Sequence, residues 1–211
     1  MKITIERFVT PAVADQLLAD HREVFDPLDE LAAEQQSLPN ELFVDFLARD
    51  DVLLFIGWDE QRPVSLLMAT NNLELIPWIQ PLFYRKRYPD QAERAAIIYV
   101  PTLQIAAAYQ GTHIAEAMCE AFTLWLALRR GVVAFDSCLW DIENLGVPQF
   151  IAKYALRHVE GITEEIDSQH YYGYEVLSLK SLDLRDTRSH GVDIDIAEPT
   201  FAPVQTEATH E

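Results

Sequence analysis

The chain has 211 residues, of which 49% are hydrophobic and 24% are charged, so it has enough apolar surface for one well-buried core. Its formal net charge of −18 repels phosphate backbones and argues against direct binding of nucleic acid. The same charge favours cationic partners such as amines, or it simply keeps the protein in solution.

Neither a membrane segment nor a metal site is predicted. No apolar run approaches the roughly 20 residues that a membrane span needs, and the N-terminus lacks the layout of a signal peptide, which predicts a cytoplasmic protein. Two cysteines, Cys119 and Cys138, are too few for a disulfide framework. The six histidines lie far apart without metal-ligand spacing.

The N-terminal part of the chain predicts strands and helices in turn. Residues 2–8 alternate apolar and polar side chains as a strand does. Thr10 and Pro11 are typical of the cap and first turn of a helix. The next predicted elements are a helix over residues 41–49 and two strands over residues 52–58 and 64–70, joined by a hairpin turn.

Residues 71–94 interrupt this pattern. Pro77, Pro81 and Pro89 argue against one long regular element, so we expect one or two short helices in a long connection. The apolar part of this connection, residues 73–84, has three interpretations: it covers an acceptor or acyl pocket, it forms the contact of a homodimer, or it packs on its own domain.

The C-terminal part returns to alternation. Pro101 cannot donate to a strand ladder, so it predicts a bulge or an edge position within a strand. The predicted elements are a strand over 96–106, a helix over 114–130, a strand over 132–140, a helix over 148–156, and closing strands over 158–162 and 172–179. Together they predict a mixed α/β (α+β) domain over residues 1–181 and an acidic, flexible tail over 182–211.

Between Leu103 and Ala115 a predicted strand runs directly into a glycine-containing turn and a helix. The first N–H groups of a helix have no partner within the helix, and together with the helix dipole they form an anion site that suits a pyrophosphate. Small residues such as Gly111 let a phosphate approach the backbone.

This segment resembles the GNAT family of N-acyltransferases, which carries R/Q-x-x-G-x-G/A at such a turn. Gln110 and Ala115 fit the first and last positions, and His113 replaces the middle glycine. A second stretch is similar to the family's motif after the fifth strand: Asn144 aligns, and Ile151 stands where the family often has a tyrosine. The resemblance covers residues 2 to about 179.

The resemblance implies a GNAT-like mixed central sheet with flanking helices and an acetyl-CoA or other acyl-CoA co-substrate. In this family a tyrosine at the position of Ile151 commonly protonates the departing thiolate. Tyr154, three residues later, takes that role, or it packs on the sheet with its hydroxyl in solvent. Cys138, in the predicted fifth strand, faces the acyl sulfur, or it is an inert core residue. The residues that the resemblance assigns to coenzyme A are Ile105, Ala106, Ala107, Gln110, Gly111, Thr112, His113, Ile114, Ala115 and Asn144.

The implied activity is transfer of an acyl group, in the first place acetyl, from coenzyme A to the amine of a small molecule. Two alternatives stay open: a catalytically degenerate protein that binds an acyl-CoA or regulates, and an acyltransferase that uses a carrier protein. Tyr99 and Gln104 orient an amine or water, or they pack in the core. Asp136 and Asp141 bind a cationic acceptor, or they are solvated strand ends.

A basic cluster has three further interpretations. It meets the ribose phosphate of coenzyme A, it receives an acidic acyl carrier, or it balances the acidic surface. The cluster consists of Arg85, Lys86, Arg87 and Arg94.

Overall fold

Five strands lie side by side in the same order as in the sequence. The computed structural model describes residues 2–32 and 37–172. The strands are β1 (Lys2–Glu6), β2 (Val52–Asp59), β3 (Arg62–Thr70), β4 (Ile97–Ile105) and β5 (Val132–Ala134). Strands β1 to β4 pair antiparallel, whereas β4 and β5 pair parallel. The predicted mixed sheet is confirmed.

Helices flank this sheet. Helix α1 begins as predicted, because Thr10 Oγ1 accepts a hydrogen bond from Val13 N at 3.4 Å and Pro11 stands in the first turn. The α-helices of the described residues are α1 (Pro11–Phe25), α2 (Asn40–Ala48), α3 (Pro81–Arg87), α4 (Pro89–Glu93), α5 (Ile114–Ala127), α6 (Leu139–Asn144) and α7 (Val147–Ala155).

Each face of the sheet is covered by its own apolar cluster. Leu54 and Ile56 of β2 pack on the face that α1 and α2 cover, whereas Phe55 between them packs on the face that α5 covers. Because both faces are buried, the central strands are apolar along nearly their whole length, as the sequence of β2 and β3 is.

The connection between β3 and β4 contains the two short helices expected from its prolines, α3 and α4. Leu73 and Ile76 are buried in the core, so the first part of the connection packs on its own domain. Leu82 and Phe83 on α3 stay exposed. A homodimer contact through this segment stays a prediction.

A bulge in β4 separates it from β5. Met68 lies opposite Thr102 and Thr70 lies opposite Tyr99, so β4 uses one residue more than β3 over this stretch. The extra residue falls at Val100–Pro101, which confirms the bulge predicted from the proline. Parallel pairing with β5 ends at the same level, at Tyr99, while β4 continues to Ile105.

Three predicted elements differ or lie outside the described residues. The strand predicted over 132–140 ends at Ala134, because β4 turns away there and Leu139 already begins α6. Residues 158–162 form no strand, and Ile162 is 92% exposed. Apart from Tyr172, the strand predicted over 172–179 lies outside the described residues, as do the tail and the domain boundary at 181/182.

Within the described residues, no helix combines the length and the hydropathy needed to cross a bilayer. In the same residues, no three histidine, cysteine or acidic side chains are grouped so that they could hold a metal ion.

A buried histidine connects α1 to β4. Gln104 donates from Nε2 to the carbonyl of Leu17 at 2.9 Å, so its Oε1 faces His21 Nδ1, also at 2.9 Å. On its other side, His21 Nε2 accepts the N–H of Leu38 at 3.0 Å. This network fixes the neutral tautomer with the proton on Nδ1. Burial lowers the pKa of His21. Both polar atoms of the Gln104 side chain are hydrogen-bonded within the core.

We expect the free energy of unfolding to fall as the pH decreases from 7 to 5. His21 takes up a proton near pH 6.5 in the unfolded chain but only at a lower pH in the folded chain. Between these pH values the free energy of unfolding decreases by up to about 1.4 kcal/mol per pH unit. Urea titrations of wild type and His21→Gln would measure this slope, which should be smaller in the variant. His170→Gln, an exposed control, should keep it. Equal slopes in wild type and His21→Gln would contradict the assignment.

Candidate functional site

The first part of the site is the open edge of β4 beyond the bulge. Ala106 N donates to Val64 O at 2.9 Å, so the peptide groups of Ala106 and, two residues earlier, Gln104 face β3. By the alternation of an antiparallel ladder, the peptide groups of Leu103 and Ile105 face the edge that β5 has left. Ile105 therefore presents its peptide groups to this open edge, whereas the N–H of Ala106 is bonded within the sheet. The coenzyme A roles of both residues stay predictions.

The second part is the turn between β4 and α5. Ala107–Tyr109 forms a single 3₁₀ turn, and Gly111 then adopts φ +73°, in the left-handed region that favours glycine. A Cβ atom on Gly111 would meet no atom within 4 Å, so conformation and not crowding requires the glycine. Thr112 Oγ1 donates to Tyr109 O at 2.6 Å and accepts from Ile114 N at 3.4 Å.

Helix α5 starts without a side-chain cap. His113 occupies the cap position, but its side chain is 93% exposed and lies 3.2 Å from Glu116 Oε2 instead of bonding the helix N–H groups. Glu116 also accepts a hydrogen bond from Tyr154, which is the main reason that the pKa of this carboxyl is lowered. The first turn of α5 thus combines the positive end of the helix dipole, an Ile114 N–H that Thr112 already bonds, and the nearby carboxylate of Glu116.

A cavity of about 270 Å³ lies beside this turn, lined by Asp59, Tyr109, Thr112, His113 and Ile114. Tyr109 donates its hydroxyl to Asp59 Oδ2 at 2.8 Å, and this bond raises the pKa of the phenol. The guanidinium of Arg62 lies 5.9 Å from the centre of the Tyr109 ring. A cation and an anion therefore flank the cavity together.

The third part lies where β4 and β5 separate. Tyr99 is 1% exposed and donates its hydroxyl to Asp136 Oδ1, two residues after the end of β5. Trp78 Nε1 lies 3.1 Å from the Tyr99 hydroxyl and 3.2 Å from Asp136 Oδ1. Burial, followed by the charge of Asp136, raises the pKa of Tyr99. The sequence singled out Tyr99 and Asp136 separately, but it gave no signal that they meet each other and Trp78.

The remaining predicted site residues lie elsewhere. Cys138 is not in a strand but occupies the position before α6 without a side-chain capping bond, and burial raises the pKa of its thiol. Tyr154 lies on α7 and its hydroxyl bonds Glu116. Asn144 is exposed and donates to Trp140 O at 2.8 Å, within its own helix.

The arginines of the basic cluster are already paired. Arg85 bonds Glu74 at 2.8 Å, and Arg87 bonds Glu164 at 2.9 Å. Arg94 donates to the carbonyls of Arg129 and Arg130, which follow α5. The cluster adjoins the start of β4, whereas the glycine turn follows the end of this strand. The nine residues of β4 are separated by eight steps of about 3.3 Å, so its two ends lie roughly 26 Å apart. This separation argues against the basic cluster and the glycine turn contacting phosphate groups of the same bound molecule.

No protein-family model matches the chain, and no curated protein matches it. Solved structures match it with low identity. An aminoglycoside 6'-N-acetyltransferase from Acinetobacter haemolyticus is 11% identical, with a TM-score of 0.48, over 83% of this chain and 99% of that chain. An aminoglycoside N-acetyltransferase in complex with CoA is 10% identical, with a TM-score of 0.47, over 83% and 100%.

A third match is an aminoglycoside acetyltransferase from an uncultured soil metagenomic sample. It is 19% identical, with a TM-score of 0.45, over 80% of this chain and all of that chain. All three matches have TM-scores below 0.5. At such identities they concern the arrangement of the chain and carry no information about its substrate.

Because burial raises the pKa of the Cys138 thiol, we expect this cysteine to stay protonated at neutral pH. Alkylation by iodoacetamide, followed at each cysteine by mass spectrometry from pH 7 to 10, should give a midpoint above that of a free cysteine peptide measured in parallel. Cys119, whose pKa burial raises to about 11, should react later still. A midpoint for Cys138 at or below that of the peptide would contradict the described burial.

Proposed function

We propose that the chain binds an acyl-CoA along the open edge of β4 and transfers its acyl group to the amine of a small molecule. The observation that carries this proposal is a continuous path of backbone groups. It starts where β4 and β5 separate at Tyr99, follows the peptide groups of Leu103 and Ile105, and ends at the uncapped first turn of α5.

Each part of this path suits one part of the cofactor. The amides of a pantetheine arm pair with a strand edge in the same way as another extended chain does, and Leu103 and Ile105 offer that edge. A pyrophosphate accepts hydrogen bonds from helix N–H groups, and the turn from Gln110 to Ala115 offers these together with the positive end of the α5 dipole. Arg62, whose guanidinium lies 5.9 Å from the centre of the Tyr109 ring and 3.8 Å from Asp20 Oδ1, adds a cation near the cavity.

The reaction would proceed by direct attack. The nitrogen of a neutral amine bonds to the thioester carbonyl carbon, the carbon–sulfur bond breaks, the amine releases one proton, and the thiolate takes one up. A general acid is the protein's contribution to the last step. Cys138 follows β5 by four residues, near the end of the path where the strands separate. Tyr154 bonds the first turn of α5, at the phosphate end.

A second candidate function is binding of an acyl-CoA without catalysis. Ile151 cannot donate a proton, and Asp59 and Glu116 bring two carboxylates close to the turn that would hold the phosphates. The third reading, an acyl carrier protein as donor, gains no support from the basic cluster, because its arginines are paired internally.

Gly111→Glu should weaken binding of coenzyme A at least tenfold. A carboxylate at this turn repels the pyrophosphate and strains a backbone with φ +73°. Gly111→Ala is the matched control: it shares the backbone strain but adds no charge and meets no neighbour, so its affinity should stay within about fivefold of wild type. Isothermal titration calorimetry measures both. Equal affinity of wild type and Gly111→Glu would reject the turn as the phosphate site.

Replacing the proton donor should lower kcat by about 10²- to 10⁴-fold without changing coenzyme A affinity. From its position we expect this loss for Cys138→Ala, and a smaller one for Tyr154→Phe, which keeps the ring packed near Phe150. Thiol release from acetyl-CoA, measured with a panel of amines, reads out both variants. A large loss only in Tyr154→Phe would reverse the assignment. Wild type that binds coenzyme A but acylates no amine would favour the binding-only function.

A further inference from the structure

The carboxylate of Asp136 lies at the point where β4 and β5 separate. Its Oδ1 receives hydrogen bonds from the hydroxyl of Tyr99 and from Trp78 Nε1. These donors come from two other segments of the chain and fix the position of the carboxylate. A carboxylate offers about four acceptor positions. Because Asp136 is solvent-exposed, the acceptor positions that remain can meet a ligand.

Aromatic rings surround this carboxylate. The ring centres of Tyr84 and Tyr99 lie 6.2 Å apart at an interplanar angle of 85°, and Trp78 bonds both Tyr99 and Asp136. Burial, followed by the charge of Asp136, raises the pKa of Tyr84 as well as that of Tyr99. Both phenols therefore stay neutral. Aromatic faces next to one carboxylate attract a cation and repel an anion.

Two buried hydroxyl groups without a partner flank the same separation. Thr102 Oγ1 and Ser137 Oγ are both buried without a hydrogen bond in the described part of the chain. They stand three residues beyond Tyr99 and Ala134, the last pair of β4 and β5. Thr102, which is 6% exposed, lies on the same face of the sheet as Tyr99. An unsatisfied buried hydroxyl is costly, so it fits a position that a polar ligand completes.

We infer that Asp136, Tyr99 and Trp78 form the subsite for the acceptor, and that the acceptor is a primary ammonium ion carried on an apolar or aromatic body. The inference rests on the proposed function, because it puts the amine at the thioester end of the path along β4. Asp136 and the partly buried rings of Trp78 and Tyr84 bind the ammonium form, while the buried Tyr99 holds the carboxylate in place. The amine loses a proton to solvent before it attacks, so Asp136 serves to position the nitrogen.

Matched pairs of ligands test the charge requirement. Tyramine and benzylamine are cations at pH 7.5, whereas 4-ethylphenol and benzyl alcohol are neutral molecules of similar size. We expect wild type to bind at least one of the two amines at least tenfold more tightly than its neutral counterpart, measured by quenching of tryptophan fluorescence and by calorimetry. Failure of both amines to bind, or equal binding within each pair, would overturn the inference.

Substitutions then locate the site. Asp136→Asn should weaken amine binding about 10- to 100-fold, since it removes a charge-assisted hydrogen bond. Tyr99→Phe should weaken it less, because Trp78 still holds the carboxylate. Asp15→Asn, on the exposed side of α1, removes one charge at a remote position and should change nothing. If both variants lost the same amine affinity, the loss would follow from net charge alone, and the subsite would be rejected.

Coenzyme A titrations of the same proteins separate this inference from the proposed function. Asp136→Asn should bind coenzyme A as wild type does while it loses the amine. Wild type that binds coenzyme A but neither amine would overturn the subsite and leave the cofactor site standing. Wild type that binds an amine through Asp136 but not coenzyme A would overturn the proposed function.

Discussion

The separation of β4 from β5 is the constraint on which the rest of the site depends. Val100–Pro101 adds a residue that β3 cannot match, and the proline has no N–H to donate. Pairing with β5 ends at Tyr99, and the peptide groups of Leu103 and Ile105 face the edge that β5 has left, where Gln110 Nε2 reaches Ile105 O at 3.4 Å. A regular sheet would have bonded these groups to β5 and would have offered no path from Tyr99 to the turn before α5.

The electrostatics of the two ends of this path differ. At the phosphate end, helix N–H groups and Arg62 attract an anion, while Asp59 and Glu116 oppose it. At the other end, Asp136 and its aromatic neighbours suit a cation. A negatively charged cofactor and a positively charged acceptor would thus meet from opposite ends. The net charge of −18 attracts a cationic acceptor towards the protein as a whole.

The core keeps β4 in place for this arrangement. His21 and Gln104 join α1 to the part of β4 that has lost its partner strand, and every polar atom of this buried pair that can bond does so within the core. Buried polar groups that are fully satisfied specify one packing and penalise others. Strand β4 therefore stays ordered beyond Tyr99 although only β3 pairs with it there.

The sequence by itself determined the local features, since each has a short-range cause: Thr10 caps a helix, Pro101 interrupts a ladder, and Gly111 permits a left-handed turn. It also showed the strand–turn–helix pattern of an anion site. Only the tertiary structure decided which peptide groups face outward, because that depends on the register between β3 and β4. It alone brought Asp136 to Tyr99, 37 residues away, because such a contact follows from the packing of strands and leaves no periodic signal in the sequence.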